Sequence, residues 1–228
     1  MGAITKGDAI IDIMNKVNYD FAAIGNHEFD GGAEEFVKLL DLFKYPIISS
    51  NLTFRDDALN ERIKRTYIVK TKGGVKVGFF GLTTPRLVHS SHICETGFVS
   101  VDSDTVKVAQ TAIDELKKQN CDMILAVTHL GYEDELALAQ QVHGLNAIIG
   151  GHSHTKVDEL TVRKNLDGDP VIITQTCCYA HYLGKLDLCV ENGKTVVEKS
   201  KWVLEPIDAR YNEDAKVAKY LAPFKAEL

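Results

Sequence analysis

Apolar positions follow two alternating rhythms along the first two thirds of this chain. Ile10, Ile13, Met14 and Val17 recur at i, i+3, i+4 and i+7, which predicts a helix over residues 7–17. Phe21-Ala22-Ala23-Ile24 is a short continuous apolar run, the pattern of a buried parallel strand. It breaks at Gly25 and passes through Asn26-His27-Glu28-Phe29-Asp30 to the Gly31-Gly32 pair. A second helix, about 32–44, carries Phe36, Leu39, Leu40 and Phe43 on one face and stops before Pro46. Ile47-Ile48 reads as a strand leading into Ser49-Ser50-Asn51. The charged stretch Arg55–Lys64 reads as a solvated loop, and aperiodic Pro85–Val101 as a surface loop. Between them, Tyr67–Lys70 and Val75–Phe80 form a hairpin about Lys72-Gly73-Gly74. Val106, Ile113 and Leu116 mark a helix before the strand Met123–Val127, and a helix over about 133–143 precedes the strand Ala147–Ile149.

The last third changes character. Val157–Val162 and Val171–Thr174, joined through Asp167-Gly168-Asp169, read as antiparallel strands. So do Leu186–Val190 and Val196–Leu204, whose Asn192-Gly193 connection is a strong hairpin signal. From about residue 212 the tail is helical, with Val217, Tyr220, Leu221 and Phe224 on one face. Strands alternating with helices predict an α/β fold.

Composition narrows the function. At 228 residues, 45% hydrophobic and 25% charged, the chain can bury a sizeable core and is neither disordered nor fibrous. A net charge of −6 argues against a nucleic acid polymer as partner, but not against a small anion held by a bound cation. No apolar run approaches the ~20 residues of a membrane span, and no signal peptide is read at the start. Cys94, Cys121, Cys177, Cys178 and Cys189 are odd in number and lack C-x-x-C spacing, against a disulfide framework or zinc knuckle. Cys121 and Cys189 read as packed in or beside strands, and Cys177-Cys178 as packing at a strand end ahead of a redox pair.

The candidate chemistry lies where strands end. Asn26, His27 and Asp30 follow the first strand. His129 follows Met123–Val127 within Thr128-His129-Leu130-Gly131, and His152 and His154 follow Ala147–Ile149 within Gly150-Gly151-His152-Ser153-His154-Thr155. In a parallel sheet such ends share one edge, so ligands distant in sequence can converge. Imidazole, amide and carboxylate together suit Mn, Zn, Fe or Co rather than Ca. A single histidine after a strand is usually a cap or a satisfied core residue; the same placement three times is what points to a site. His89 and His92 read as ordinary loop residues, His143 as partner of a helix C-terminal dipole, and His181 as a surface residue. Gly7-Asp8 reads as a helix cap with a favourable dipole charge.

The stretches Gly-Asn-His-Glu-Phe-Asp (25–30), Thr-His-Leu-Gly (128–131) and Gly-Gly-His-Ser-His-Thr (150–155) resemble the later motifs of the calcineurin-like metallophosphoesterases. The likeness is closest to their 5′-nucleotidase branch, which includes UDP-sugar hydrolases and 2′,3′-cyclic nucleotide phosphodiesterases. Lys6-Gly7-Asp8, Ser50-Asn51-Leu52 and Gly81-Leu82-Thr83-Thr84-Pro85 support it. The resemblance implies an α/β fold of double β-sandwich type, flanked by helices in α-β-β-α layers and missing its first strands, over residues 1–205. It implies an interdomain linker helix over 206–228. It further implies two divalent metal ions, with Asn26, His129 and His152 holding one and His154 binding the other. His27, oriented by Asp30, would steady the transferring phosphoryl group or protonate the leaving oxygen. The implied substrate is a nucleotide or nucleotide sugar, and the implied location periplasmic, secreted or at the cell surface.

The family's Asp-x-His and Gly-Asp metal motifs are expected before residue 1, and its nucleoside-binding domain after residue 228. The isolated chain is therefore expected to bind at most one metal well, to hydrolyse weakly or not at all, and to carry an unpaired sheet edge that invites association. Two other readings stay open: a non-catalytic metal- or partner-binding remnant of the fold, and a cyclic-nucleotide or sulfur-ester hydrolase. Oligomeric state is not read.

Overall fold

A computed structural model describes residues 7–90 and 92–225. Lys6 and the side chains of His89, His92 and Phe224 lie outside the described residues. The fold is mixed α/β, with several sheets. The largest has six strands in the spatial order Thr161–Lys164, Pro170–Gln175, Ala147–Gly150, Met123–His129, Lys76–Thr83 and Thr66–Lys70. Its four inner strands are mutually parallel, and the outer two pair antiparallel. The inner strands are near-continuous apolar runs because helices cover a face of the sheet. Thr105–Lys118 lays Val108, Ala109, Ala112, Ile113 and Leu116 into the same buried cluster as Phe80, Leu82, Ile124, Ala126 and Ile148. Ile113 and Leu116 have no exposed surface, and burial of each stabilises the fold by roughly 1.5–3 kcal/mol. Asp104 caps this helix, accepting from Lys107 N at 3.0 Å.

A three-stranded parallel sheet, in the order Ala22–Ala23, Ile47–Ile48, Ile63–Lys64, stands beside the larger one. Its core is separate and aromatic: Phe29, Phe36 and Phe54 pack with ring centroids 4.5–6.4 Å apart, and Gly32–Leu42 covers them. A buried polar seam joins the two sheets. Asn51 donates to Thr83 O at 2.8 Å and accepts from Thr83 N at 2.9 Å. The Thr83 hydroxyl donates to Ile24 O at 2.9 Å, and Ser50 N donates to Gly81 O at 2.7 Å. Gly81 is required there, since a Cβ would lie 2.6 Å from Ile48 O. Thr83 is in register with His129, so the seam sets the Gly25-Asn26 turn beside the His129 strand end.

Several sequence expectations need correction. Arg55–Lys64 is no solvated loop: Asp57–Arg62 is a helix capped by Asp56, and Ile63–Lys64 is a strand. Leu59 and Ile63 are both buried, which the surrounding charges concealed. Pro85–Val101 holds two one-turn helices, Leu87–Ser90 and His92–Glu95, and a strand Val99–Val101. These are too short to show a period, yet Leu87, Ile93 and Val99 are core residues. Pro170–Gln175 pairs antiparallel with Thr161–Lys164 but parallel with Ala147–Gly150, so it belongs to the main sheet. The Asn192-Gly193 hairpin forms, but a 3₁₀ turn at Val197–Lys199 splits its ladder into two pairs, Val190–Glu191 with Lys194–Thr195 and Tyr182–Asp187 with Lys201–Pro206. Gly7, at φ 98°, occupies the cap of the Asp8–Lys16 helix with no side-chain cap bond, and Asp8 contributes only its first-turn charge. The helix starting at Tyr132 ends at Ala139, so His143 meets no helix terminus; its Nδ1 bonds the Asp167 carboxylate at 2.7 Å. All five cysteines are free and half-buried, with Cys177 and Cys178 Sγ atoms 3.7 Å apart. No helix among the described residues is long and apolar enough to cross a membrane.

Candidate metal centre

Three strand ends meet. The Ala22–Ala23 strand delivers Asn26, Met123–His129 delivers His129, and Ala147–Gly150 delivers His152. Asn26 Oδ1 lies 2.9 Å from His129 Nε2 and 3.2 Å from His152 Nδ1, and the two rings sit 5.0 Å apart, edge to face. These contacts join residues 103 and 126 positions apart. The chain pays for this placement in backbone strain: His152 and His154 adopt left-handed conformations, with φ of 76° and 56°. Gly25 and Gly151 both pack against the His129 ring, where a Cβ at either would come within 3.2 Å of it.

Electrostatics keep the imidazoles neutral. Burial, reinforced by the nearby His152, His27 and His154, lowers the His129 pKa to about 4. Burial, with the Arg86 charge behind it, also lowers that of His152. A neutral ring has a lone pair to offer a cation. Ligands about 2.1 Å from one ion and about 90° apart stand about 3 Å from one another, which is the spacing of Asn26 Oδ1 from each of the two ring nitrogens. Among the described residues no group of three or more His, Cys, Asp or Glu could hold an ion, so the trio qualifies only through the Asn26 amide. Amide oxygen with two imidazoles still fits a borderline divalent ion.

The remaining candidates stand around this point. His27 Nδ1 pairs with Asp30 Oδ2 at 2.7 Å, and both side chains are largely exposed. His154 is exposed, its ring 5.6 Å from that of Tyr179, and Tyr179 in turn lies 6.0 Å from His181. His154 thus stands outside the trio of close contacts. Ser153 turns away, its hydroxyl accepting from Tyr132 N at 2.9 Å.

Two polar side chains unremarked in the sequence, Glu135 and Gln175, lie directly behind the histidine loops and are at most 1% exposed. Burial raises the Glu135 carboxyl pKa against the opposing pull of its hydrogen bonds. The signal for Glu135 was present: Tyr132, Glu135, Leu136 and Ala139 form one i, i+3, i+4, i+7 stripe, with a carboxylate on the face turned to the core.

Comparison with known proteins gives the chain its family. The family model described as calcineurin-like phosphoesterase matches residues 6–156. The chain belongs to this family. Within it, the chain falls in the 5′-nucleotidase branch and resembles phosphoric ester hydrolases. It is 30% identical over 259 residues to the trifunctional nucleotide phosphoesterase YfkN of Bacillus subtilis, covering 98% of this chain and 17% of that protein. It is 31% identical over 211 residues to the human 5′-nucleotidase, covering 85% of this chain and 36% of that protein. The crystal structure of a 5′-nucleotidase precursor from Thermus thermophilus superposes with a TM-score of 0.88 at 28% identity, over 97% of this chain and 46% of the other. The chain thus spans less than half the length of each of these relatives.

Proposed function

We propose that this chain carries part of a divalent-metal-dependent centre for hydrolysis of phosphoesters, with 5′-nucleotides or nucleotide sugars as substrates. The observation that carries the reading is the meeting of Asn26 Oδ1, His129 Nε2 and His152 Nδ1 within 2.9–3.2 Å at three strand ends. Asn26, His129 and His152 would hold one ion, and His154, on the same loop as His152, would contribute to a second. Bound there, divalent ions would polarise phosphoryl oxygens and activate a water for in-line attack. His27 is placed to steady the phosphoryl group or hand a proton to the leaving oxygen, and Asp30 fixes its tautomer through Nδ1. The three-stranded parallel sheet and the six-stranded sheet, joined by the Asn51–Thr83 seam, support reading the layers as the α-β-β-α sandwich, with residues from 206 on as a linker helix.

Because the described residues supply one such trio, the isolated chain is expected to bind one ion well and to hydrolyse weakly or not at all. A non-catalytic metal-binding role is the second reading, since Asn26, His129 and His152 could hold an ion whether or not hydrolysis follows. Phosphate release from 5′-AMP with added Mn²⁺, measured beside a His129→Ala variant, separates the two. Release abolished in the variant supports a working centre. Mn²⁺ bound by the parent and lost in the variant, with no release from either, supports the second reading. Identical metal binding by parent and variant refutes both.

A further inference from the structure

Glu135 is a fully buried carboxyl that forms no ion pair among the described residues. Its Oε1 accepts from the Thr128 hydroxyl at 2.9 Å and from Gly151 N at 3.1 Å. Thr128 immediately precedes His129, and Gly151 immediately precedes His152. One oxygen therefore ties together the backbones that carry the two imidazoles. Its Oε2 accepts from Gln175 Nε2 at 3.2 Å, and the same amide nitrogen donates to Gly151 O at 2.9 Å. Gln175 Oε1 accepts from Ser153 Oγ at 3.0 Å and from Thr155 N at 2.6 Å, so the far side of the histidine loop is held as well. Gly150 admits the carboxylate, since a Cβ there would lie 1.9 Å from Glu135 Oε2.

Backbone groups fix the orientation of this network: Gly151 N and Thr155 N can only donate, and Gly151 O can only accept. Gln175 must present its nitrogen to Glu135, because turning the amide over would break its bonds to Gly151 O and Thr155 N. Glu135 must therefore accept on both oxygens, which an amide cannot do. A network satisfied at each atom specifies one arrangement, while one wrong donor costs more than its own bond.

We infer that Glu135, acting through Gln175, is the positioning residue that sets His129 and His152 relative to one another. The inference rests on the proposed ion-holding role of those histidines, and it also stands on geometry that needs no ion. Groups behind metal ligands are worth about 10–100-fold in metal affinity when lost.

The test uses the full chain as parent, Glu135→Gln, Gln175→Leu, and Glu133→Gln as a control of equal charge change on the exposed side of the same helix. Two quantities are measured: the ring Cε1–H resonances of the histidines without metal, and Mn²⁺ affinity by calorimetry. The expected result for Glu135→Gln is shifted His129 and His152 resonances, unmoved His143 and His181, and affinity lower by about 10–100-fold. Glu133→Gln should match the parent in both. Should Glu135→Gln fail to fold, Gln175→Leu decides in its place. Unmoved ring resonances and affinity within about twofold of the parent, whatever happens to thermal stability, would overturn the inference. Absent Mn²⁺ binding in the parent would sink the ion-holding role alone, with the resonances still deciding the positioning role.

Discussion

Replacing Asn51 by leucine tests the seam that places Asn26 beside His129. Leucine nearly matches asparagine in shape, so the site, 2% exposed, stays filled while both polar atoms vanish. Thr83 N and Thr83 O lose their bonds of 2.9 and 2.8 Å, and their position in the buried seam keeps water from replacing them. Leaving a buried backbone group unpaired costs about 1–3 kcal/mol, so the two together should cost about 2–6 kcal/mol. That is a large share of the roughly 5–15 kcal/mol that holds a typical domain folded. The assay is urea unfolding followed by tryptophan fluorescence, since Trp202 is the only tryptophan. Thr53→Ala, on the exposed face of the neighbouring strand, serves as the reference and should stay within about 0.5 kcal/mol. A loss below about 1 kcal/mol for Asn51→Leu would show that the seam does not hold the sheets together, and the reasoning that derives the site from it would fall.

Asp167 accepts from His143 Nδ1 and from Gly144 N at 2.8 Å, and the His143 bond chiefly holds its carboxyl below the usual carboxylate range. A depressed folded-state pKa stabilises above the unfolded value of about 3.9 and loses its effect as pH falls through the folded value. Asp167→Asn should therefore lower the urea midpoint at pH 7, and the difference from the parent should close in strong acid; an undiminished difference there would contradict the assignment. Asn192 and Gly193, with φ of 52° and 76°, form the left-handed hairpin turn, so Gly193→Ala should destabilise by about 1–2 kcal/mol in the same assay.

The candidate site was legible because its residues are punctuation: Asn26 and His152 each follow an apolar run and a glycine, and His129 closes another such run two residues before Gly131, a pattern that survives without knowledge of the fold. What joins them was not. Asn51 and Thr83 entered the sequence reading only within stretches that support the family resemblance, with no structural role, because their worth lies in reciprocal bonds across 32 positions of sequence. Glu135 drew no reading within Glu133-Asp134-Glu135, of which only the first two face solvent. Leu59 and Ile63 were lost among seven charged or amide-bearing neighbours of their stretch for the opposite reason, apolar anchors too sparse to form a rhythm. Sequence patterns report which face of an element is buried; they carry no record of which polar atoms meet across the interior.

The contacts of Asn26 with His129 and His152 close loops of 103 and 126 residues, each about half of the 228-residue chain. Loop closure of that length precedes no local structure and is gained only once both sheets have docked. A refolding chain therefore passes most of its route with the three donors apart, and an ion in solution has nothing to grip until the final docking. Under the proposed function, added divalent ion should leave the refolding rate unchanged and slow unfolding by the full measure of its binding.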